Sequence, residues 1–322
     1  VKRLAAFPKV RVVVLGDLVA DHYLYGQTER ISREAPVLIV RHEHDEVKLG
    51  GGANAAANAR ALGGRVTVVG QLGTDEMGRA LRGLCEAQGI VVQAVSAKGV
   101  STETKLRILA GGLSTSRQQM LRVDRGVTGP LPSSLRRALA TRLARAVEDA
   151  DVVLVSDYGA GVVCDETRAV VREAAQRGVA VCVDSRFALG DFTGATLCKP
   201  NEPELGAMTG LPVSTDAEVD RAAQRALELL ECQALVVTRG RKGMVVYEPG
   251  QRPVRLPVHG SEEAVDVTGA GDTVIATMAL ALGAGASFIE AARLSNVAGG
   301  LVVQKPGTAT VSRAELAREL SQ

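Results

Sequence analysis

The chain has no tryptophan, and only four tyrosines and four phenylalanines in 322 residues. With so few rings the core must be packed from Val, Leu and Ala, and the stacking platforms that single-stranded nucleic acid needs are missing. Charge of one sign is not in excess either, since 38 Lys and Arg against 36 Asp and Glu leave a formal +2. No global field draws such a chain onto nucleic acid or an anionic membrane, so neither is expected as a partner and any anionic ligand must be held locally. The longest apolar stretches, residues 12–15, 152–155 and 276–282, fall far short of the ~20 residues of a membrane-spanning helix. Cys85, Cys164, Cys182, Cys198 and Cys232 are odd in number and lack the C-x-x-C or Cys/His spacing of a zinc site or disulfide framework. His22, His42, His44 and His259 show no ligand spacing, so metal-centred catalysis is not indicated. A cytoplasmic location is expected from the cysteine pattern and from residues 1–9, which carry Lys2 and Arg3 but no apolar core of a signal peptide.

What is present is a rhythm. Short β-branched runs at residues 10–15, 65–70, 152–156, 179–184 and 234–238 read as strands buried on both faces of a parallel sheet. Between them residues 53–62, 77–88, 134–148, 166–177 and 219–230 carry helix-favouring sequence of period 3.6, which completes repeated βαβ units. The expected fold class is α/β, a three-layer α/β/α sandwich with a mostly parallel central sheet. One edge is made mixed by an antiparallel pair, 244–247 and 254–258, ahead of two C-terminal helices at 270–282 and 288–301. Residues 18–49 and 102–124 break the rhythm, alternating without an intervening helix. Together they predict a small antiparallel β-sheet lid inserted in a single domain of residues 1–322.

The sharpest chemical signal is Asp266-Val-Thr-Gly-Ala-Gly-Asp272, which opens an apolar helix. Gly269 and Gly271 let the backbone approach a ligand, and the free N–H groups and dipole of a helix start attract an anion. A plain glycine turn with an N-cap is the competing reading. Asp272 decides between them, because a carboxylate in a phosphate cradle repels pyrophosphate unless it has work there. Taking the proton of an attacking hydroxyl is such work, and it belongs to phosphoryl transfer. Gly50-Gly-Gly52-Ala-Asn54-Ala55 matches a loose dinucleotide fingerprint, but a poor strand precedes it and no ribose-binding acid follows. The Walker A pattern is absent, which excludes a P-loop kinase.

Gly51-Gly52-Ala-Asn54, Lys199-Pro-Asn201-Glu-Pro-Glu204 and Asp266 to Asp272, in that order and spacing, resemble the ribokinase-like family of sugar kinases over nearly the whole chain. Within that family the chain is similar to the heptose-7-phosphate kinases of ADP-heptose synthesis, through Gly16-Asp17-Leu-Val-Ala-Asp21-His-Tyr23, Arg30-Ile-Ser-Arg-Glu-Ala-Pro36, Thr104-Lys-Leu-Arg107 and Ser156-Asp-Tyr158. No stretch of these 322 residues resembles the nucleotidyltransferase half that some such enzymes carry. One departure is Asp184-Ser185-Arg186, where those kinases usually show Asp-Pro-Lys.

The resemblance implies an ATP- and Mg²⁺-dependent phosphotransferase acting on the anomeric hydroxyl of a heptose 7-phosphate. Asp272 would be its general base and the amides of Gly269, Ala270 and Gly271 its anion hole. Glu204 would act on Mg²⁺ through water and Asn201 would share its site. Thr238, Gly240 and Gly243 would serve the nucleotide from the end of a buried strand, with Asn296 near the adenine. Asp17, Asp21, Gly51, Gly52 and Asn54 would take the sugar. A monovalent cation near Asp266 and Thr268 is also allowed for. A kinase for another sugar, sugar phosphate or nucleoside, and a non-catalytic sugar or nucleotide sensor, remain the alternatives.

The lid carries its own message. In Thr104-Lys-Leu-Arg-Ile108 a period of two puts Lys105 and Arg107 on one face, and Arg122 alternates with Leu121 and Val123 on the neighbouring run. Clustered cations are of little use toward a neutral sugar but offset and orient a phosphate, so Lys105, Arg107 and Arg122 are expected to bind a sugar phosphate. An uncovered flap of this kind also predicts a homodimer formed through the lid.

Overall fold

Val12 and Val14 are buried in one hydrophobic core and Val13 and Leu15 in another, so a single strand serves two layers of helices. The computed structural model describes residues 3–111, 117–127, 129–260 and 264–321. The elements run β1 (Arg11–Gly16), β2 (Leu18–Ile31), β3 (Leu38–Gly51), α1 (Gly52–Ala61), β4 (Arg65–Gln71), α2 (Glu76–Ala87) and β5 (Val91–Val95). Then come β6 (Glu103–Gly111), β7 (Gln118–Arg125), α3 (Ser133–Ala146), β8 (Val152–Asp157), α4 (Asp165–Gln176), β9 (Ala180–Ser185) and β10 (Leu197–Cys198). The chain continues through α5 (Glu202–Thr209), α6 (Asp216–Leu230), β11 (Ala234–Thr238), β12 (Met244–Tyr247) and β13 (Val254–Leu256) to α7 (Ala270–Gly283), α8 (Phe288–Val302) and α9 (Arg313–Glu319).

Nine strands form the main sheet in the order β13-β12-β11-β10-β9-β8-β1-β4-β5. Pairing is parallel from β5 across to β11, and the β11–β12 and β12–β13 pairs are antiparallel, which gives the mixed edge expected from the sequence. Buried residues of α1, α2, α7 and α8 pack on one face and those of α3, α4, α5 and α6 on the other, which makes the three layers. Helix starts are set locally. Asn201 with Glu204, Thr215 with Glu218, Ser287 with Glu290 and Ser312 with Glu315 each form a reciprocal capping box, typically worth about 1 kcal/mol per cap.

The second sheet has the order β3-β2-β6-β7, so the two lid segments do meet. It is mixed rather than antiparallel as expected, because β2 and β6 run parallel while the β2–β3 and β6–β7 pairs are antiparallel. Parallel neighbours need a long crossover, and the chain supplies one by passing through α1, β4, α2 and β5 of the main body between the two hairpins. Residues 112–116 of the expected lid lie outside the described residues. Since β1 pairs with β4 on one side and β8 on the other, the strand order reverses there, and the carboxyl ends of these strands open onto a crevice that the small sheet flanks.

Candidate active site

Asp272 stands in the first turn of α7 with 2% of its surface exposed. Its Oδ2 accepts from Asn54 Nδ2 at 2.8 Å and its Oδ1 from the Tyr158 hydroxyl at 2.9 Å. Burial is the main reason that its carboxyl is pushed up to about 7. The charge of Asp184 adds to the rise, while Asn54, Tyr158 and Lys199 oppose it. Such a group is poised to exchange a proton near neutral pH. Behind it, Asn54 Oδ1 accepts from Asn58 Nδ2 at 3.1 Å and Asn58 Oδ1 accepts from Thr273 Oγ1 at 2.9 Å, so α1 and α7 are locked by a buried polar chain.

Gly269 caps α7 with φ +79°, and a Cβ there would fall 2.5 Å from Asn54 Nδ2, so both the backbone and the close approach exclude a side chain. Among the described residues the N–H groups of Gly269 and Gly271 find no acceptor. Ala270 differs from expectation, because its N–H donates to the Val267 carbonyl at 3.2 Å and closes the turn instead of standing open. Asp266 fixes the same turn, its Oδ1 accepting from Thr268 N and its Oδ2 from Gly307 N, both at 2.9 Å.

A polar cleft of about 430 Å³ opens beside Asp272. The small sheet contributes Asp21, Lys105, Arg107 and Arg122 to its wall, with Gly51 at the root of α1. Asp21 is ion-paired with Arg107 inside the wall. Arg122, directly opposite Arg107 in the ladder, holds both oxygens of Asp124 at 2.8 and 2.7 Å. The floor brings together residues to which the sequence had assigned no role. Lys199, only 3% exposed, bonds Asp184 at 2.9 Å; burial works to discharge the amine, but Asp184, together with Glu204 and Asp272, outweighs it and the pKa is raised. Both groups lie 3.7 Å from where a Cβ of Gly271 would stand, so this ion pair borders the helix start. Tyr158 and Arg186 complete the floor, the guanidinium 4.7 Å from the ring centroid. Each of these residues follows or lies at the end of a parallel strand, and the sequence had shown them only as members of motifs, with no role attached.

Three residues expected at the sugar lie elsewhere. The Asp17 carboxylate is buried and accepts from the backbone N–H of Tyr158, Ala160 and Val162 at 2.8, 3.1 and 3.2 Å, so it anchors the loop after β8. Burial, helped by Asp157, pushes it up to about 6. Gly52 packs on β1, where a Cβ would sit 3.0 Å from Gly16. Asn54 is turned to Asp272 and is absent from the cleft lining. Asn201 and Glu204 do face the cleft, although part of each is committed. Asn201 Oδ1 accepts from Glu204 N at 2.8 Å and Glu204 Oε2 from Asn201 N at 2.9 Å. Burial raises the Glu204 carboxyl, and Asp184 adds to this. Two neighbouring carboxylates with spare oxygens suit a hard cation that keeps its own waters.

A second cleft of about 550 Å³, mostly apolar, adjoins the first, with Thr238, Val267 and Gly271 lining both. Gly240 and Gly243 line it, and Gly243 admits no side chain, both for its φ of +78° and because a Cβ would come 2.1 Å from the Leu256 carbonyl. Asn296 lies in its wall and donates to the Pro257 carbonyl at 2.7 Å. An apolar slot that meets the helix start of α7 at Gly271 fits a flat base joined to phosphates.

Residues 9–315 match the model of the pfkB family of carbohydrate kinases. The bifunctional protein HldE of Caulobacter vibrioides is 42% identical over 319 residues, covering 97% of this chain and 63% of that protein. HldE of Halorhodospira halophila is 44% identical over 317 residues, covering 97% and 64%. The chain thus spans just under two thirds of these relatives. Among solved structures, Arabidopsis thaliana ribokinase complexed with ribose and ATP superposes with a TM-score of 0.74 at 23% identity, covering 97% of this chain and 99% of that one. Escherichia coli phosphofructokinase-2 in complex with potassium gives 0.80 at 21%, covering 97% and 98%. These two likenesses establish the ribokinase-like fold. With the family model matching nearly the full length, the chain belongs to the pfkB family of carbohydrate kinases.

Proposed function

We propose that this chain is an ATP- and Mg²⁺-dependent kinase that phosphorylates the anomeric hydroxyl of a heptose 7-phosphate to give the 1,7-bisphosphate. The observation that carries the reading is the cationic strand pair of the small sheet, Lys105, Arg107 and Arg122, lining the same cleft as Asp272. A phosphorylated acceptor can put its phosphate on these cations and its far hydroxyl at the carboxylate. The resemblance to heptose-7-phosphate kinases and the similarity to the HldE proteins support the same choice.

Asp272 takes the proton of the attacking hydroxyl, for which a carboxyl poised near neutral pH is suited. The N–H groups of Gly269 and Gly271 offset charge on the transferring phosphoryl, with Lys199 beside them. Asp21 and Gly51 orient the sugar. Thr238, Gly240, Gly243 and Asn296 hold the nucleotide in the apolar slot. Glu204 and Asn201 hold the metal's water shell, and Mg²⁺ when bound neutralises phosphate oxygens. A monovalent cation near Asp266 and Thr268 belongs to the same proposal, with the potassium complex of phosphofructokinase-2 as its support.

The small sheet is also proposed as a dimer interface within a single kinase domain. Every residue of its outer strand β7 is exposed, and Leu121, at 55%, with Val123 offers apolar surface. Sedimentation giving twice the monomer mass supports this, and a strict monomer at micromolar concentration contradicts it. The kinase reading is tested by ATP turnover against a panel of free and phosphorylated sugars. Heptose 7-phosphate is expected to give the highest kcat/KM, and a better free sugar overturns the choice of acceptor.

A further inference from the structure

The cations of the polar cleft are of two kinds. Arg107 is paired with Asp21, Arg122 with Asp124 and Lys199 with Asp184. Lys105 and Arg186 form no close ion pair among the described residues, although Asp21 attracts Lys105 from the neighbouring strand and Arg186 acts on Glu204 at longer range. What they share is one aromatic ring. Lys105 Nζ lies 5.0 Å and the Arg186 guanidinium 4.7 Å from the centroid of Tyr158. They reach it from different parts of the fold, Lys105 from β6 of the small sheet and Arg186 from the turn after β9, where its N–H donates to the Asp157 carbonyl at 3.2 Å.

Two cations on one ring repel each other, and the ring's negative faces offset that only in part. An arriving anion relieves the repulsion and meets donors that need not abandon an ion pair. The other three cations would have to give one up, which leaves a carboxylate behind. Arg186 is exposed at the cleft and its planar fork suits two phosphate oxygens at once. The ring also sets a register, since its hydroxyl donates to Asp272 Oδ1 at 2.9 Å, so an anion held here lies one tyrosine away from the base.

We propose that Arg186, acting with Lys105 across Tyr158, holds the anionic group of the acceptor and is the residue by which this kinase tells a phosphorylated sugar from a neutral one. The inference rests on the sugar-phosphate reading above and adds to it a floor residue outside the lid. It also gives a role to the Asp184-Ser185-Arg186 departure.

Inorganic phosphate is the probe, its binding followed by ³¹P line broadening with a non-hydrolysable ATP analogue filling the nucleotide slot. Arg186→Ala is expected to weaken phosphate at least ten-fold relative to wild type, the size of one lost charge-assisted contact. Arg186→Lys should recover part of the loss. Arg82→Ala, on α2 and outside the cleft lining, should match wild type. Unchanged affinity in Arg186→Ala, or no measurable phosphate binding by wild type, overturns the inference. In parallel, the ratio of kcat/KM for a sugar phosphate to that for its free sugar should fall ten-fold or more in Arg186→Ala, and an unchanged ratio also overturns it. A wild-type ratio below one refutes the sugar-phosphate reading itself, and so the two failures are distinguishable.

Discussion

The Tyr158 hydroxyl donates to Asp272 Oδ1 at 2.9 Å while Asn54 donates to Oδ2 at 2.8 Å, so both oxygens of the buried carboxylate carry a donor. Both bonds stabilise the ionised form and hold the carboxyl below the value that burial alone would impose. Tyr158→Phe removes one of them. The acid limb of kcat/KM is then expected to move to higher pH, with a several-fold loss at pH 6 and little change at pH 8.5. A profile that falls uniformly without shifting would contradict the link.

Activity needs Asp272 ionised, so kcat/KM should decline as pH drops through about 7. Asp272→Asn keeps the volume and removes the basicity, and the expected loss in kcat is roughly 10²–10⁴-fold. Its effect on stability has the opposite sign. The folded pKa lies above the ordinary value of 3.8, so the native state binds the extra proton between these values and stability falls as pH rises through about 4 to 7. The neutral variant avoids that cost. Thermal melts should show it more stable than wild type at pH 8 and no better at pH 4.

Asp17 separates a loop anchor from a sugar ligand. Asp17→Asn places an amide against three backbone donors, which costs about 1–3 kcal/mol through unsatisfied groups. Since the loop carries Tyr158, kcat should drop by a similar factor for every acceptor tried. An effect confined to one sugar, with an unchanged melting temperature, would return Asp17 to the substrate.

Gly243→Ala forces a side chain onto a backbone at φ +78° and against the Leu256 carbonyl. The expected destabilisation is about 1–3 kcal/mol. Because Gly243 lines the apolar slot, KM for ATP should rise more than KM for the acceptor. Equal changes in both would contradict a nucleotide slot at this end.

The sheet was legible because its strands, such as residues 152–156 and 234–238, are short runs rich in Val and Leu that a doubly covered sheet can bury. The alternation of β6 likewise put Lys105 and Arg107 on the cleft side. Direction was not legible in the lid, since a strand pattern does not say whether β2 meets β6 parallel or antiparallel. The same limit applies to side chains. Asp17 and Asn54 were placed beside the site by their position, but which way each points depends on partners 145 and 218 residues away in the chain. Asn201 and Glu204, by contrast, cap each other three residues apart, and spacing alone reads such a pair.

The most direct test of the account is the product itself. With ATP, Mg²⁺ and a heptose 7-phosphate, ³¹P NMR should show a new anomeric phosphate coupled to the C1 proton while the 7-phosphate signal is retained. That signal should fail to appear at a comparable rate in Asp272→Asn. Phosphate appearing on any other hydroxyl, or ATP consumed without a sugar 1-phosphate, would contradict it.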